Sequence, residues 1–286
     1  MNKTVDKGAK QAGICIRELC DRVGMSRQNY YAARRLRQRR EVDESLILEL
    51  VRRERRMQPR IGGRKLRHLL QADLAEANVS VGRDRFFELL AEHDLLVVRK
   101  PGAPHTTNSR HSLPVFHNLL AGKTWQGPNQ AWVSDLTYIR TEEGFLYAAL
   151  ITDVYSRKIV GFHIGDTLEA EGCLRALDLA LTELPLGKQP IHHSDRGCQY
   201  CCHEYVERLQ ARGLAISMTE IQHCYENALA ERVNGILKQE YEMDRTFRTK
   251  VQAKAALEQA VWLYNYRRPH TMLNYRFPAD VHAEVA

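Results

Sequence analysis

The sequence predicts an α/β protein: a mixed five-stranded sheet with flanking helices, preceded by a small all-α region. Three observations carry this. The first 98 residues hold amphipathic helical periodicity and no strand-like run. Three strand-like runs then follow one another at short spacing after Gln130. Beyond them, helical and strand-like segments alternate, the pattern of a sheet covered by helices.

The elements follow in order. Ile16 to Val23 reads as a short helix, then Gly24-Met25, then Ser26 as the N-cap of a second helix running from Arg27 into RRLRQRR. That is a helix-turn-helix pattern, with Arg27, Gln28 and Asn29 opening the second helix, where such side chains can read guanine or adenine edges. A further helix is expected over Glu44 to Arg56, and Pro59 with Gly62-Gly63 breaks the chain. Helices over Arg64 to Leu74 and Gly82 to His93 make a second helix-turn-helix pattern and so a second DNA-binding module, with Arg83 and Arg85 at the start of the last; a small bundle with solvated arginines is the equal reading. Residues 99–129, rich in Pro, Gly, Ser, Thr and His, read as a linker on which Leu119-Leu120 docks. Strands are expected over Trp132 to Arg140, Phe145 to Thr152, Lys158 to Ile164, Ile191 to Ser194 and Leu214 to Met218. Helices are expected over Glu169 to Leu184, Cys202 to Arg212, Tyr225 to Tyr241 and Lys250 to Tyr266. The resulting division is 1–40, 41–98, 99–129, a core over 130–245, and a C-terminal helix and tail over 246–286.

Composition narrows the function. With 44% hydrophobic and 27% charged residues over 286 positions, the chain reads as folded. No run approaches the roughly 20 apolar residues of a membrane span, and no secretory leader is legible, so no membrane partner and a cytoplasmic location are expected. The net charge is +7, and thirteen Arg or Lys against five Asp or Glu fall between Arg34 and Arg67. A basic block in one terminal module fits phosphate contacts, against the ordinary reading of a solvated helix face. Seven cysteines argue against a disulfide framework. Cys198-x-x-Cys201 has zinc-ligand spacing, but no second matched pair follows it.

Three carboxylates stand out. Asp135 lies mid-strand in AWVSDLTYIR, where an ionised side chain needs a partner or a metal. Asp195 ends IHHSD, at the carboxyl edge where α/β sheets place ligands. Glu231 lies on the helix after the fifth strand, with 35 residues between it and Asp195. Carboxylate oxygens are hard ligands suited to Mg²⁺, and two such ions serve phosphodiester displacement. On the helical wheel Leu229, Val233, Ile236 and Leu237 form an apolar stripe shared with Glu226 and Glu240. Asn227, Glu231, Asn234 and Lys238 take the opposite side, either facing the sheet edge or merely solvated.

WVSDLTYI from Trp132, HSDRGCQY from His193, CYENALAE from Cys224, Leu237-Lys238-x-Glu240 and YNYRRPH from Tyr264 occur in that order. In this the chain resembles the retroviral-integrase-like (DDE) insertion-sequence transposases of the downstream-frame, OrfB type. The resemblance implies an RNase H-like core with Asp135, Asp195 and Glu231 as catalytic and metal-binding triad. It implies magnesium or manganese, in two ions, strand cleavage at element ends and 3′-hydroxyl attack on a second strand. Partners would be double-stranded DNA, further copies of the chain on that DNA, and an upstream-frame (OrfA) protein or fusion, in a prokaryotic, nucleoid-associated setting. Cys198 where serine is commoner, Glu226 where aspartate is usual, and the run Arg232-Val233-Asn234-Gly235 depart from the pattern without touching the triad. Lys238, Asn227, Asn234, Arg27, Gln28, Asn29, Arg83, Arg85, Arg267 and Arg268 are the candidate DNA contacts. Arg267 and Arg268, with His270, equally suit pinning the C-terminal helix. Asp153 suits a turn cap, Asp166 a strand end, and His193 a packed strand histidine or a proton relay. Trp132, Tyr138 and Trp262 are expected in the core. A hydrolytic nuclease on the same fold, and a DNA-binding regulator with an inactive core, are the alternatives.

Overall fold

The computed structural model describes residues 15–98, 113–220 and 227–284. The chain clusters into two compact units, Met1–Arg53 with Ala72–Asp94 and Glu54–Gln71 with Leu95–Ala286.

In the first unit, helix α1 (Ile16–Arg22) stops at Gly24, whose φ of +64° is one a side chain rarely adopts. Ser26 then accepts the Asn29 amide at 3.1 Å, the expected N-cap. Helix α2 (Arg27–Met57) corrects the sequence reading, which placed two helices and a boundary after residue 40 here. No Gly or Pro interrupts the 31 residues, and Arg40 pairs with Glu44 one turn on, so the helix runs through the boundary. Helix α3 (Gly63–Leu69), which belongs to the second unit, and α4 (Gln71–Glu76) replace the single helix expected over Arg64 to Leu74, and α5 (Arg83–Glu92) follows. Ile47, Leu50, Val51, Phe86, Leu89 and Leu90 are buried. Arg85 is held by Glu44 at 2.8 Å and Glu92 at 2.7 Å.

The second unit is built on one sheet. Strands β1 (Ala131–Thr141), β2 (Gly144–Asp153) and β3 (Ile159–Gly165) form an antiparallel meander, with Trp132 opposite Asp153 and Thr141 opposite Gly144. Helix α6 (Ala170–Glu183) crosses over to β4 (Ile191–Ser194), which lies parallel to β1. Helices α7 (Cys198–Cys201) and α8 (His203–Ala211) lead to β5 (Ile216–Met218), parallel to β4. Helix α9 (Ala228–Glu240), the two-residue strand β6 (Thr246–Phe247), α10 (Lys250–Tyr266) and α11 (Pro278–Ala283) complete the unit. The order is β3-β2-β1-β4-β5, with β6 added beside β1. The mixed sheet is the expected one, enlarged by β6, which is too short to leave a periodic signal.

Alternation along the strands sends neighbouring side chains to opposite faces. Trp132, Ala149, Ile151 and Val160 meet α6 through Cys173, Ala176, Leu177 and Ala180. Ile139, Ala148, Leu150 and Ile164 meet α9 and α10 through Val233, Ile236, Leu237, Leu257 and Tyr264. Helices therefore cover both faces. Before β1, Asn118 and Leu119 donate backbone N–H groups to Glu220 and Ser217, so the Leu119-Leu120 segment docks beside β5 as expected.

Candidate active site

Asp135 shares its strand face with Ile139, which turns its carboxylate toward the layer holding α9. The parallel pairing of β1 with β4 aligns Val133 with His193, two positions before Asp135 and Asp195 respectively. The two aspartates thus leave neighbouring strands on the same level. Asp195 follows the last residue of β4, where its Oδ1 accepts the Gly197 amide at 3.0 Å and begins the turn into α7. Glu231 occupies the first turn of α9. Burial, then the charge of Asp195, then that of Glu231 push the Asp135 carboxyl up to about 7, which outweighs hydrogen bonds from Leu136 and Asn234. Like charges converge on it.

The polar side of α9 is turned to the sheet rather than solvated. Asn227 donates Nδ2–H to the Ser134 carbonyl at 3.0 Å, and Asn234 donates Nδ2–H to Asp135 Oδ2 at 2.7 Å. Both asparagines are buried, so the expectation that they contact DNA is corrected: a side chain spent on β1 is not presented to a phosphate. Lys238 lies with Nζ 4.8 Å from the centre of the Tyr138 ring. Its ammonium is lowered by burial and supported by the charge of Asp135. On the apolar side Val233, Ile236 and Leu237 are buried as expected, whereas Leu229 is only half-buried. Glu226 lies outside the described residues, as do His223 and Cys224.

The terminal arginines resolve differently from a phosphate clamp. Arg268, 2% exposed, gives Nε and Nη2 to the two oxygens of Glu240 at 2.8 and 2.9 Å, with Lys65 on Glu240 at 2.7 Å. Arg267 grips the buried Glu54 at 2.7 Å. They join α10 to α9 and to the end of α2 within the unit, and a fully buried guanidinium has no access to DNA. Arg85 is likewise committed to carboxylates, while Arg27, Gln28, Asn29 and Arg83 remain exposed, Arg83 beside Asp84.

Behind Ser134, His192 Nε2 lies 2.7 Å from Ser134 Oγ and 2.9 Å from Tyr205 Oη, and burial holds its pKa down to about 3. His193 packs with Nδ1 2.8 Å from Ser217 Oγ, as a strand histidine does. Asp153 accepts the Ser156 amide and hydroxyl at 2.7 Å, the expected turn cap. Asp166 binds Lys250 and Lys254 just past β3. Trp132 is fully buried, but Trp262 is 55% exposed and stacks on Tyr266, contrary to its expected place in the core. Cys198 is exposed while Cys201 is buried against Met218 Sδ at 3.7 Å, so the two thiols have different surroundings. Among the described residues no three His, Cys, Asp or Glu side chains stand close enough to hold an ion unaided.

The mixed sheet, covered on both faces by helices, carries Asp135 within β1, Asp195 just past the adjacent β4 and Glu231 in the first turn of α9, and the class it belongs to is that of the integrase-type polynucleotidyl transferases. The integrase core domain family matches residues 126–224, and a second integrase core domain profile matches residues 212–278. A 31 kDa protein of insertion element IS600 from Shigella sonnei is 38% identical over 266 residues, covering 91% of this chain and 96% of that one. The transposase for insertion sequence element IS629 from Shigella sonnei is 30% identical over 289 residues, covering 98% and 95%. Among solved structures, the HTLV-2 integrase catalytic core domain in complex with magnesium is 19% identical, with a TM-score of 0.42, over 55% of this chain and 97% of that one. The chain belongs to the insertion-sequence DDE transposases of the IS3 family, and is a DNA transposase. Among the described residues no helix is long and apolar enough to cross a membrane.

Proposed function

We propose that Asp135, Asp195 and Glu231 are the catalytic carboxylates of this transposase, holding two magnesium or manganese ions for strand cleavage and 3′-hydroxyl strand transfer at insertion-sequence ends. The observation that carries this is the placement of the three: adjacent parallel strands supply two, α9, bonded to Asp135 through Asn234, supplies the third, and the charges of Asp195 and Glu231 both act on Asp135. The donor set suits the group. Mg²⁺ keeps several waters and takes a few carboxylates together with substrate phosphates, so an open edge of hard oxygens fits it better than a closed cage. The buried Asn234 Oδ1, which has no hydrogen-bond partner, adds an acceptor beside Asp135. When bound, the ions supply activation of the attacking oxygen and stabilisation of the leaving one.

The chain's own residues do the rest. Leu136 N–H and Asn234 Nδ2–H orient the two oxygens of Asp135, and the Gly197 amide orients Asp195. Lys238, beside Tyr138 and the same carboxylate, is placed to meet a backbone phosphate at this edge. In the first unit the exposed Arg27, Gln28 and Asn29 and the basic run of α2 are the surface for element-end DNA, with Arg83 as a further contact. Copies of the chain assemble on that DNA, together with an OrfA partner, in the nucleoid. The reading is tested with labelled duplexes carrying the element's ends. Asp135→Asn, Asp195→Asn and Glu231→Gln should each remove both cleavage and strand transfer while the duplex is still bound. Near wild-type cleavage by any of the three would remove that residue from the site, and shortened products without joined ones would make the protein a nuclease.

A further inference from the structure

Asn234 is bonded directly to Asp135, yet the triad itself has no use for it. It sits three residues after Glu231, one turn along the same face of α9, and is 7% exposed. With Asp135 ionised, as a metal ligand must be, its amide is oriented one way, because turning Oδ1 toward Asp135 would set oxygen against carboxylate oxygen at 2.7 Å. The Nδ2–H therefore points at Asp135 Oδ2, and Oδ1 is left buried with no partner. The other oxygen of Asp135 accepts Leu136 N–H at 2.8 Å. Two turns earlier, Asn227 makes the matching bond to the backbone of Ser134, next to Asp135 in sequence. Two asparagines seven positions apart thus fasten one face of α9 to consecutive residues of β1, with Glu231 between them.

We propose that Asn234 is a positioning residue: its amide fixes the rotamer of Asp135 and the spacing of Asp135 from Glu231, so that both carboxylates meet a divalent ion in register. The inference rests on the triad reading above. Asn227, bonded to backbone, locks the helix to the strand whatever its partner's side chain does. Asn234, bonded to a carboxylate, acts on the ligand itself. Groups that hold a metal ligand in orientation change metal affinity or activity by roughly 10–100-fold when removed, a size that separates this role from surface noise.

The experiment titrates the full-length chain with Mn²⁺ alone, counting free ion by its paramagnetic resonance, for wild type, Asn234→Ala, Asn234→Asp and Asp135→Asn. Thermal unfolding and binding of an end duplex without metal are recorded on the same samples. Asn234→Ala should weaken Mn²⁺ roughly tenfold or more, and shift the Mn²⁺ concentration for half-maximal nicking by a similar factor. Its unfolding midpoint and metal-free DNA binding should stay close to wild type. Asn234→Asp should weaken or lose cleavage even where Mn²⁺ binds, because a second carboxylate cannot donate to Asp135. Wild-type Mn²⁺ affinity and metal dependence in Asn234→Ala, with Asp135→Asn impaired, would overturn the positioning role and leave the triad standing. Unimpaired Asp135→Asn would overturn the triad itself. A large fall in unfolding midpoint in both Asn234 variants would make the residue structural and overturn the proposal.

Discussion

Two half-buried carboxylates on or beside α9 have opposite fates, and their neighbours decide which. Burial raises the pKa of both. Around Asp135 it is reinforced by Asp195 and Glu231, and the carboxyl rises to about 7. Around Glu240 burial is outweighed by hydrogen bonds and charge from Arg268 and Lys65, and the carboxyl is held at about 2. The first arrangement gathers like charge that a bound cation would relieve; the second is a finished structural joint. A group whose pKa is depressed on folding contributes stability above its ordinary value near 4.5, and loses it as pH falls toward about 2. Denaturant titrations from neutral to acid pH should therefore show Glu240→Gln less stable than wild type at neutral pH, with the difference closing between pH 4.5 and 2. A difference that stays constant across that window would mean Glu240 is not ionised in the joint. The same joint ties together two sequence blocks, through Glu240 of Leu237-Lys238-x-Glu240 and Arg268 of YNYRRPH.

Helices and strands were largely legible because each carries its period in the chain, and the exceptions share a cause. The three-strand meander, the crossover helix and β4 follow from alternation, turn residues and an apolar face, and so Asp135 and Asp195 could be placed at strand positions. Helix α2 was divided in two because its exposed middle, RRLRQRREVDES, has no apolar stripe to show continuity, though nothing in it breaks a helix. The wheel puts Asn227 and Asn234 on the face that meets the sheet edge, but no period says that their amides bond to β1 rather than to DNA. Trp262 was misplaced by assigning an aromatic to the core by type, whereas its position on α10 lies on the outer side, four residues from Tyr266. Close approach of elements is also unwritten in periodicity. Gly161 on β3 lies under α6, where an added Cβ would collide with the Ala176 carbonyl and stand 2.8 Å from Ala180 Cβ. A backbone oxygen cannot swing aside as a side chain can. Gly161→Ala should thus destabilise the core by about 1–3 kcal/mol or more, read as a lower urea midpoint at unchanged slope. An unchanged midpoint would show that α6 can shift off the sheet freely.

At the scale of the whole molecule, charge and chemistry are separated along the chain. The carboxylates that would hold metal lie in the second unit, while the basic run from Arg34 to Arg67 starts in the first and holds thirteen of the 42 Lys and Arg residues. Several of those cations are already spoken for. Arg40 pairs with Glu44 and Arg53 with Asp73. Arg35 and Arg39 are exposed on α2, one turn apart, and are suited to phosphate. A cation that neutralises a phosphate releases counterions, so each such contact steepens the fall of log affinity with log salt by about 0.9. Arg35→Ala with Arg39→Ala in the full-length chain should then flatten that slope by about 1.8 for end duplex, if each meets one phosphate. Affinity should fall for end and unrelated duplexes alike, because phosphate contacts position without reading sequence. Arg27→Ala or Asn29→Ala, at the exposed start of the same helix, should instead narrow the gap between end and unrelated DNA, by about 1–3 kcal/mol for a lost bidentate base contact. The nicking rate at saturating DNA should stay near wild type in all of these, since none lies with the carboxylates. An unchanged salt slope in the double variant would return the basic run to a solvated face, and would move DNA recognition elsewhere in the chain.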